Sequence, residues 1–413
     1  MVKIKKAIAA CVLFAAALSA IAKQEIDVAA YIWPAYQNEP RWAELGIFKD
    51  GCGEWQNVYQ ARPKKPWHNQ PVEPLWGYGR DDDPVEMSRQ IDAALASGIN
   101  VFIYDWYWYG GRPFLENALN NGFLKAPNNG RMKFYIMWAN HDVNGLWDNT
   151  IGAEKKGKVI WNADVGLAEF KEKLVPRFIG YFKKPNYYKV GNRPVLGIYE
   201  PRNLARGMGG WTKVKEAFDF LRAESKKAGF AGVYLMLNSP ARISSFKDTA
   251  LPGKANATVA DIVGYLGFDG FTTYNWATEY WSELVKRERF PYSEWVDMCA
   301  SGYDSNQQKL TKIQYFPHVS TGWDTNPRYP QDQYQPSVVD SNPRDFERAL
   351  RIAKKWIVSK RHSGQPKLIT LNAWNEWTEG CYLMPDKRHG YGFLNACARV
   401  FKSDCPKGSK GEK

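Results

Sequence analysis

Short apolar, β-branched and aromatic runs alternate along this chain with longer amphipathic stretches, a pattern that predicts repeated strand–helix units. Eight runs read as strands: Val28 to Pro34, Asn100 to Tyr107, Met132 to Trp138, Pro194 to Tyr199, Gly232 to Leu237, Gly270 to Asn275, Lys312 to Val319 and Lys367 to Ala373. Between them, Asp83 to Ser97, Leu167 to Phe182, Trp211 to Lys227 and Arg344 to Ser359 carry helical periodicity. Two of these are opened by Asp-Pro or Asn-Pro. Eight such units predict a single α/β domain, a (β/α)8 barrel with elaborated loops on its C-terminal face, and 413 residues suit one such barrel. In a barrel of this kind the residues just past each strand form the active face.

Those positions are rich in carboxylates, amides and aromatic rings. Strand two ends in Tyr104-Asp-Trp-Tyr-Trp-Tyr-Gly-Gly111, strand three in Trp138-Ala-Asn-His-Asp142 and strand four in Tyr199-Glu-Pro201. Strand six ends in Tyr274-Asn-Trp276 and strand seven in His318-Val-Ser-Thr-Gly-Trp-Asp324. A pyranose needs directional hydrogen bonds for its hydroxyls and flat rings for its C–H faces, so this mixture points to a glycan. Asp105, Trp106, Trp108, Asn140, His141 and Glu200 are the candidates from strands two to four. Each has a structural alternative: the rings as core, the acids as partners of an arginine or a loop amide.

The densest chemistry follows the last strand, in Asn372-Ala-Trp-Asn-Glu-Trp-Thr-Glu-Gly380. Glu376 and Glu379 would face apart on a strand but become neighbours in a turn beyond its end. Glycoside hydrolysis uses such a pair, one carboxyl protonated to assist the leaving oxygen and one ionised. A surface salt-bridge cluster is the alternative.

The first residues, Met1-Val-Lys-Ile-Lys-Lys6, an alanine-rich apolar run to Leu18 and Ala20-Ile21-Ala22, read as a secretory signal peptide over 1–22 with cleavage near Ala22. The mature chain is then expected to be periplasmic or secreted, with no membrane segment, a catalytic domain over 23–401 and a polar basic tail over 402–413. Export permits disulfides. Strands one and eight would be neighbours in a closed barrel, which predicts a Cys52–Cys381 bridge, with Cys397–Cys405 as a second pairing. The chain has no Cys-x-x-Cys, and His141-Asp142 lacks clustered companions, so neither a metal nor a cofactor is expected. No nucleic-acid motif is present. The formal charge of +13 admits two readings, a preference for a sulfated or uronate-bearing polysaccharide and a generically basic exported protein.

With these residues placed, the chain resembles family 99 glycoside hydrolases and the related WbsX-type domain. The likeness rests on Gly51-Cys-Gly-Glu-Trp-Gln-Asn-Val58 and Trp138-Ala-Asn140, then on Asp269-Gly-Phe-Thr-Thr-Tyr274 with Gly322-Trp-Asp-Thr-Asn-Pro-Arg328, and most specifically on Asn375-Glu-Trp-Thr-Glu-Gly380 with Tyr382-Leu-Met-Pro-Asp386. These blocks add Glu54, Trp55, Tyr274, Trp323, Asp324, Arg328, Asn375 and Trp377 to the expected substrate-binding residues, and Trp374, which flanks Glu376 closely, joins them. The resemblance implies a retaining, endo-acting glycosidase in which Glu376 deprotonates the substrate's 2-hydroxyl and Glu379 is acid, then base. Tyr274 would bind a sugar hydroxyl or the acid. The family's His-x-Glu-Pro-Tyr segment is absent and its motif histidine is Thr378 here, so the resemblance does not carry mannose specificity. Two alternatives stand beside hydrolysis: a polysaccharide glycosyltransferase or transglycosylase, and a non-catalytic glycan-binding protein.

Overall fold

The strands are built from runs that bury both faces, as strands of a parallel sheet covered on both sides must. The computed structural model describes residues 26–49, 51–144, 147–150, 157–239, 250–360 and 366–402. The expected signal segment, the basic tail after 402 and Cys405 lie outside the described residues. Eight segments form the barrel wall: β1 (Asp27–Ile32), β2 (Val101–Tyr109), β3 (Lys133–Trp138), β4 (Arg193–Ile198), β5 (Tyr234–Leu237), β6 (Gly270–Phe271), β7 (Gln314–Tyr315 and His318–Ser320) and β8 (Leu368–Asn372). Each pairs in parallel with its neighbour in the order one to eight, and β8 returns to β1.

Closure falls on β7. Its first half pairs with β6 and its second half with β8. Pro317 has no N–H to offer the ladder, so the strand divides at Phe316–Pro317. The ends are still tied, Phe316 N to the Phe271 carbonyl at 2.8 Å and the Pro317 carbonyl to Thr370 N at 3.1 Å. All eight expected strands are present. The run expected over Gly270 to Asn275 is regular only at its start, because Thr272 onward turns into the loop that carries Tyr274.

Helices α1 (Pro84–Ala96), α2 (167–182, with a π-helical centre), α3 (Trp211–Lys227), α4 (Val259–Leu266), α5 (Tyr292–Ser301), α6 (Pro343–Lys360) and α7 (Gly392–Phe401) lie outside the wall. Asp83 caps α1 by accepting from Val85 N at 2.8 Å, with Pro84 in the first turn where its missing N–H costs nothing. Among the described residues no helix is long and apolar enough to cross a membrane.

The expected Cys52–Cys381 bridge is not formed. Cys381 is buried with its Sγ donating to the Gly322 carbonyl at 2.7 Å, whereas Cys52 is exposed. Adjacent strands do not bring these residues together, because Cys381 turns toward the β7 loop and Cys52 toward the surface. Cys397 is a buried thiol in α7.

Candidate active site

The segments that follow β1, β2, β3, β4, β6, β7 and β8 surround a cavity of ≈ 550 Å³ at the C-terminal ends of the strands, within the usual range for ligand sites. Its floor carries Glu376 and Glu379. After β8 the chain makes a small hairpin, Asn375–Glu376 against Cys381–Tyr382, whose connection is the 3₁₀ turn Trp377–Glu379. That turn converts a three-residue spacing into adjacency. Gly380 closes it at φ +65°, and a Cβ there would lie 2.8 Å from Asp324 Cβ, so the β7 loop packs directly against the turn.

One guanidinium holds both carboxylates. Arg328 donates from Nη1 to Glu379 Oε1 at 2.5 Å and from Nη2 to Glu376 Oε2 at 3.3 Å. Its remaining edge meets Glu54, Nε to Oε1 at 2.5 Å and Nη2 to Oε2 at 3.1 Å. Glu54 is fully buried and also accepts from Trp33 Nε1 at 2.5 Å. It reaches this position because Gly53, at φ +61°, lets Glu54 N donate to the Ala35 carbonyl.

On the opposite side the Tyr274 hydroxyl lies 2.8 Å from Asp105 Oδ2 and 3.2 Å from Glu376 Oε1. A single O–H cannot serve two ionised oxygens equally, so this geometry suits one protonated carboxyl. The electrostatics agree. Burial, then the charge of Glu379, pushes Glu376 well above the usual carboxylate range, with Arg328 opposing. Burial raises Glu379 as well, again opposed by Arg328. Asp105 is pushed well up by burial and by Glu379, and its Oδ1 has no hydrogen-bond partner among the described residues.

The expected site residues divide into three groups. Asp105, His141, Glu200, Tyr274, Trp323, Arg328, Glu376 and Glu379 line the cavity. Glu54, Asn140, Asp324 and Asn375 stand behind it. Asn140 exchanges hydrogen bonds of 2.8 Å with the Glu200 backbone N–H and carbonyl. Asn375 does the same with Trp33 and also reaches Asp81, and Asp324 accepts from His68 and Gln70. The third group faces away. Trp106 and Trp108 alternate with Asp105 and Tyr107 on β2, so their indoles point outward to Glu116 and Glu169. Trp55 bonds the Gly79 carbonyl, Trp374 bonds Gln90 in the core, and Trp377 stacks on Tyr382 at 4.1 Å.

Residues not anticipated complete the wall, among them Trp33, Tyr107, Trp147, Tyr199, Arg202 and Arg206. Tyr107 was accessible by alternation from Asp105. Arg202 grips Glu200 at 2.7 and 2.6 Å, and Arg206 grips Asp142 at 2.6 and 3.1 Å. The lining thus holds five carboxyl side chains and three guanidiniums. The net charge of +13 has no counterpart in the cavity, and the expectation of an anionic substrate loses its basis there.

Fold and site together define a glycoside hydrolase-like (β/α)8 protein with a carboxylate-lined cavity. The chain belongs to the WbsX family: the family described as "Glycosyltransferase WbsX" matches residues 27–397. Two relatives are the proteins titled "Uncharacterized protein WxcX" from Xanthomonas campestris pv. campestris strains B100 and ATCC 33913, 25% and 26% identical over 378 and 370 residues. The matches cover 88% of this chain and 47% of each relative, so the chain spans about half their length. Among solved structures, a "Glycoside hydrolase-like protein" superposes with a TM-score of 0.56 at 14% identity, over 92% of this chain and 95% of that one. The GH99 endo-alpha-mannosidase from Bacteroides thetaiotaomicron superposes with a TM-score of 0.51 at 15% identity, over 90% and 96%. These likenesses show the fold.

Proposed function

We propose that this chain is an exported, retaining, endo-acting glycoside hydrolase whose acid–base pair is Glu376 and Glu379. The observation that carries the proposal is the burial of both carboxyls on one guanidinium at the mouth of a barrel. Burial and mutual repulsion favour one proton shared by the pair. In this geometry Glu376 carries the stronger upward push and Arg328 lies nearer Glu379, so the shared proton rests on Glu376. The reaction needs it on Glu379, and we assign that transfer to substrate binding, with Arg328 Nη2 and the Tyr274 hydroxyl then stabilising ionised Glu376. Glu376 then takes the proton of the substrate's 2-hydroxyl, O2 closes on C1, and the C1–O bond to the leaving sugar breaks as Glu379 protonates that oxygen. Water opens the resulting 1,2-anhydro ring. Glu379 accepts the water proton, the hydroxyl oxygen joins C1, and Glu376 returns its proton to O2. Two inversions at C1 give net retention.

The substrate that suits this cavity is an uncharged glycan. Each wall guanidinium already faces a carboxylate, and an added anion would have to displace it. Export is supported by the basic, apolar and small-residue order of residues 1–22. A transfer reaction shares every step except the last, in which a sugar hydroxyl replaces water; the family's description favours keeping it in view.

The test is a chromatographic product assay on neutral, sulfated and uronate-containing polysaccharides, with and without abundant acceptor sugar. Glu376→Gln and Glu379→Gln should each lower release of oligosaccharides by several orders of magnitude with the fold intact. Near-normal release in both variants would remove the assignment. Elongated products would favour transfer, and tight binding without any product would favour a binding protein.

A further inference from the structure

Among the described residues Arg328 is the one cation touching both carboxyls of the pair, and it sits on a loop with an unusual core. The Lys64 ammonium donates to four backbone carbonyls of that loop, those of Asn326, Tyr329 and Gln333 at 2.8 Å and Pro330 at 2.9 Å. An ammonium has three protons, so four acceptors surround it as oxygens surround a bound monovalent cation. Four converging carbonyl dipoles repel one another unless a positive charge lies between them. The segment 326–333 therefore folds around the charge of Lys64. Its flanks are pinned as well: Asn326 bonds Asp324 and Gln335, Gln331 bonds the Pro63 carbonyl, and Asp324 N donates to the Glu379 carbonyl at 2.5 Å.

We propose that Lys64 is a positioning residue for the acid–base pair: its ammonium is the internal cation that folds the 326–333 segment and so holds Arg328 against Glu376 and Glu379. The functional consequence rests on the role given to that pair; the cage itself does not. Without Lys64 the segment opens, Arg328 withdraws, and the carboxyls lose their main opposing charge. Of the other titratable groups facing the pair, Glu54, Asp105, Tyr36, Tyr107, Tyr329 and Cys381 bring no positive charge, and the Tyr274 hydroxyl donates to Glu376 without replacing the charge of Arg328. Withdrawal of Arg328 must then raise the pair's titration.

The experiment compares wild type with Lys64→Ala, which empties the cage, and Lys64→Gln, which keeps a neutral donor. Carboxyl titrations are followed by NMR on protein labelled with ¹³C at glutamate, with and without ethylammonium chloride, and the acidic limb of the pH–activity profile is recorded alongside. In Lys64→Ala the titrations of Glu376 and Glu379 should rise by about one pH unit or more, and in Lys64→Gln by less. Ethylammonium, but not tetramethylammonium, should restore them by refilling the cage. Unchanged titrations in both folded variants, or shifts that ethylammonium leaves in place, would overturn the proposal. The NMR readout does not depend on turnover, so an inactive protein would refute the hydrolase assignment without touching this one.

Discussion

At the scale of single residues, the site is a contest between burial, which protonates carboxyls, and one guanidinium, which ionises them. Removing Arg328 would leave Glu54, Glu376 and Glu379 buried without a counter-charge, a change that costs about 3–5 kcal/mol when one partner of a buried pair is lost. Arg328→Met should therefore lower stability by that order in urea unfolding, and an unchanged midpoint would show that the carboxyls are already neutral. The sign of the pH effect follows from Glu376. Its folded titration lies above its unfolded one, so its contribution favours folding below the ordinary carboxylate range and is lost as pH rises from there through the raised value. Glu376→Gln should consequently be more stable than wild type at neutral pH, with the difference in Tm vanishing below about pH 4. A difference that stays constant with pH would contradict this. Much of this residue set was legible: the Glu-x-x-Glu turn, Glu54, Tyr274 and Arg328 all lie in the motif blocks. The wrong-facing indoles were not separable, because β2 is buried on both faces and composition alone does not fix the phase of its alternation.

At the scale of elements, the sequence was most informative where backbone chemistry is local. The Asp83-Pro84 cap and the apolar runs located α1 and all eight strands, whereas the extents of β6 and β7 depended on where loops leave the wall and on the missing N–H of Pro317. The loop contributing Trp147 carries no periodicity, and Arg206 sits on a short helix, Pro201–Met208, directly after β4; both residues entered the cavity through tertiary packing. One element prediction concerns Gly53. A Cβ there would stand 2.0 Å from the Ala35 carbonyl, and the φ of +61° is itself unfavourable to alanine. Gly53→Ala should cost more than about 1 kcal/mol from the backbone alone and should also displace Glu54 from Arg328. A crystal structure of the variant with the Glu54–Arg328 contact intact would argue against that coupling.

At the scale of the whole molecule, the excess positive charge and the cavity are separate properties. The charge belongs to the full sequence, while the cavity lining carries more carboxyls than guanidiniums and pairs Arg202 and Arg206 locally. Surface charge acts over about a Debye length, ~10 Å at 0.1 M salt, and will draw polyanions to the outside of the protein without fitting them to the site. Two salt dependences should therefore part company. Retention on a sulfated polysaccharide resin should weaken as salt rises, while KM for a neutral oligosaccharide should stay flat over the same range, and the resin-bound polymer should not compete with that substrate. The discriminating variant is Glu200→Gln, which releases Arg202 from its bidentate partner and should create acceptance of a uronate or sulfate that wild type refuses. If wild type instead turns over the sulfated glycan faster than its neutral counterpart, and loses that advantage with added salt, the wall arginines are exchanging their carboxylate partners for substrate and the assignment of an uncharged glycan fails.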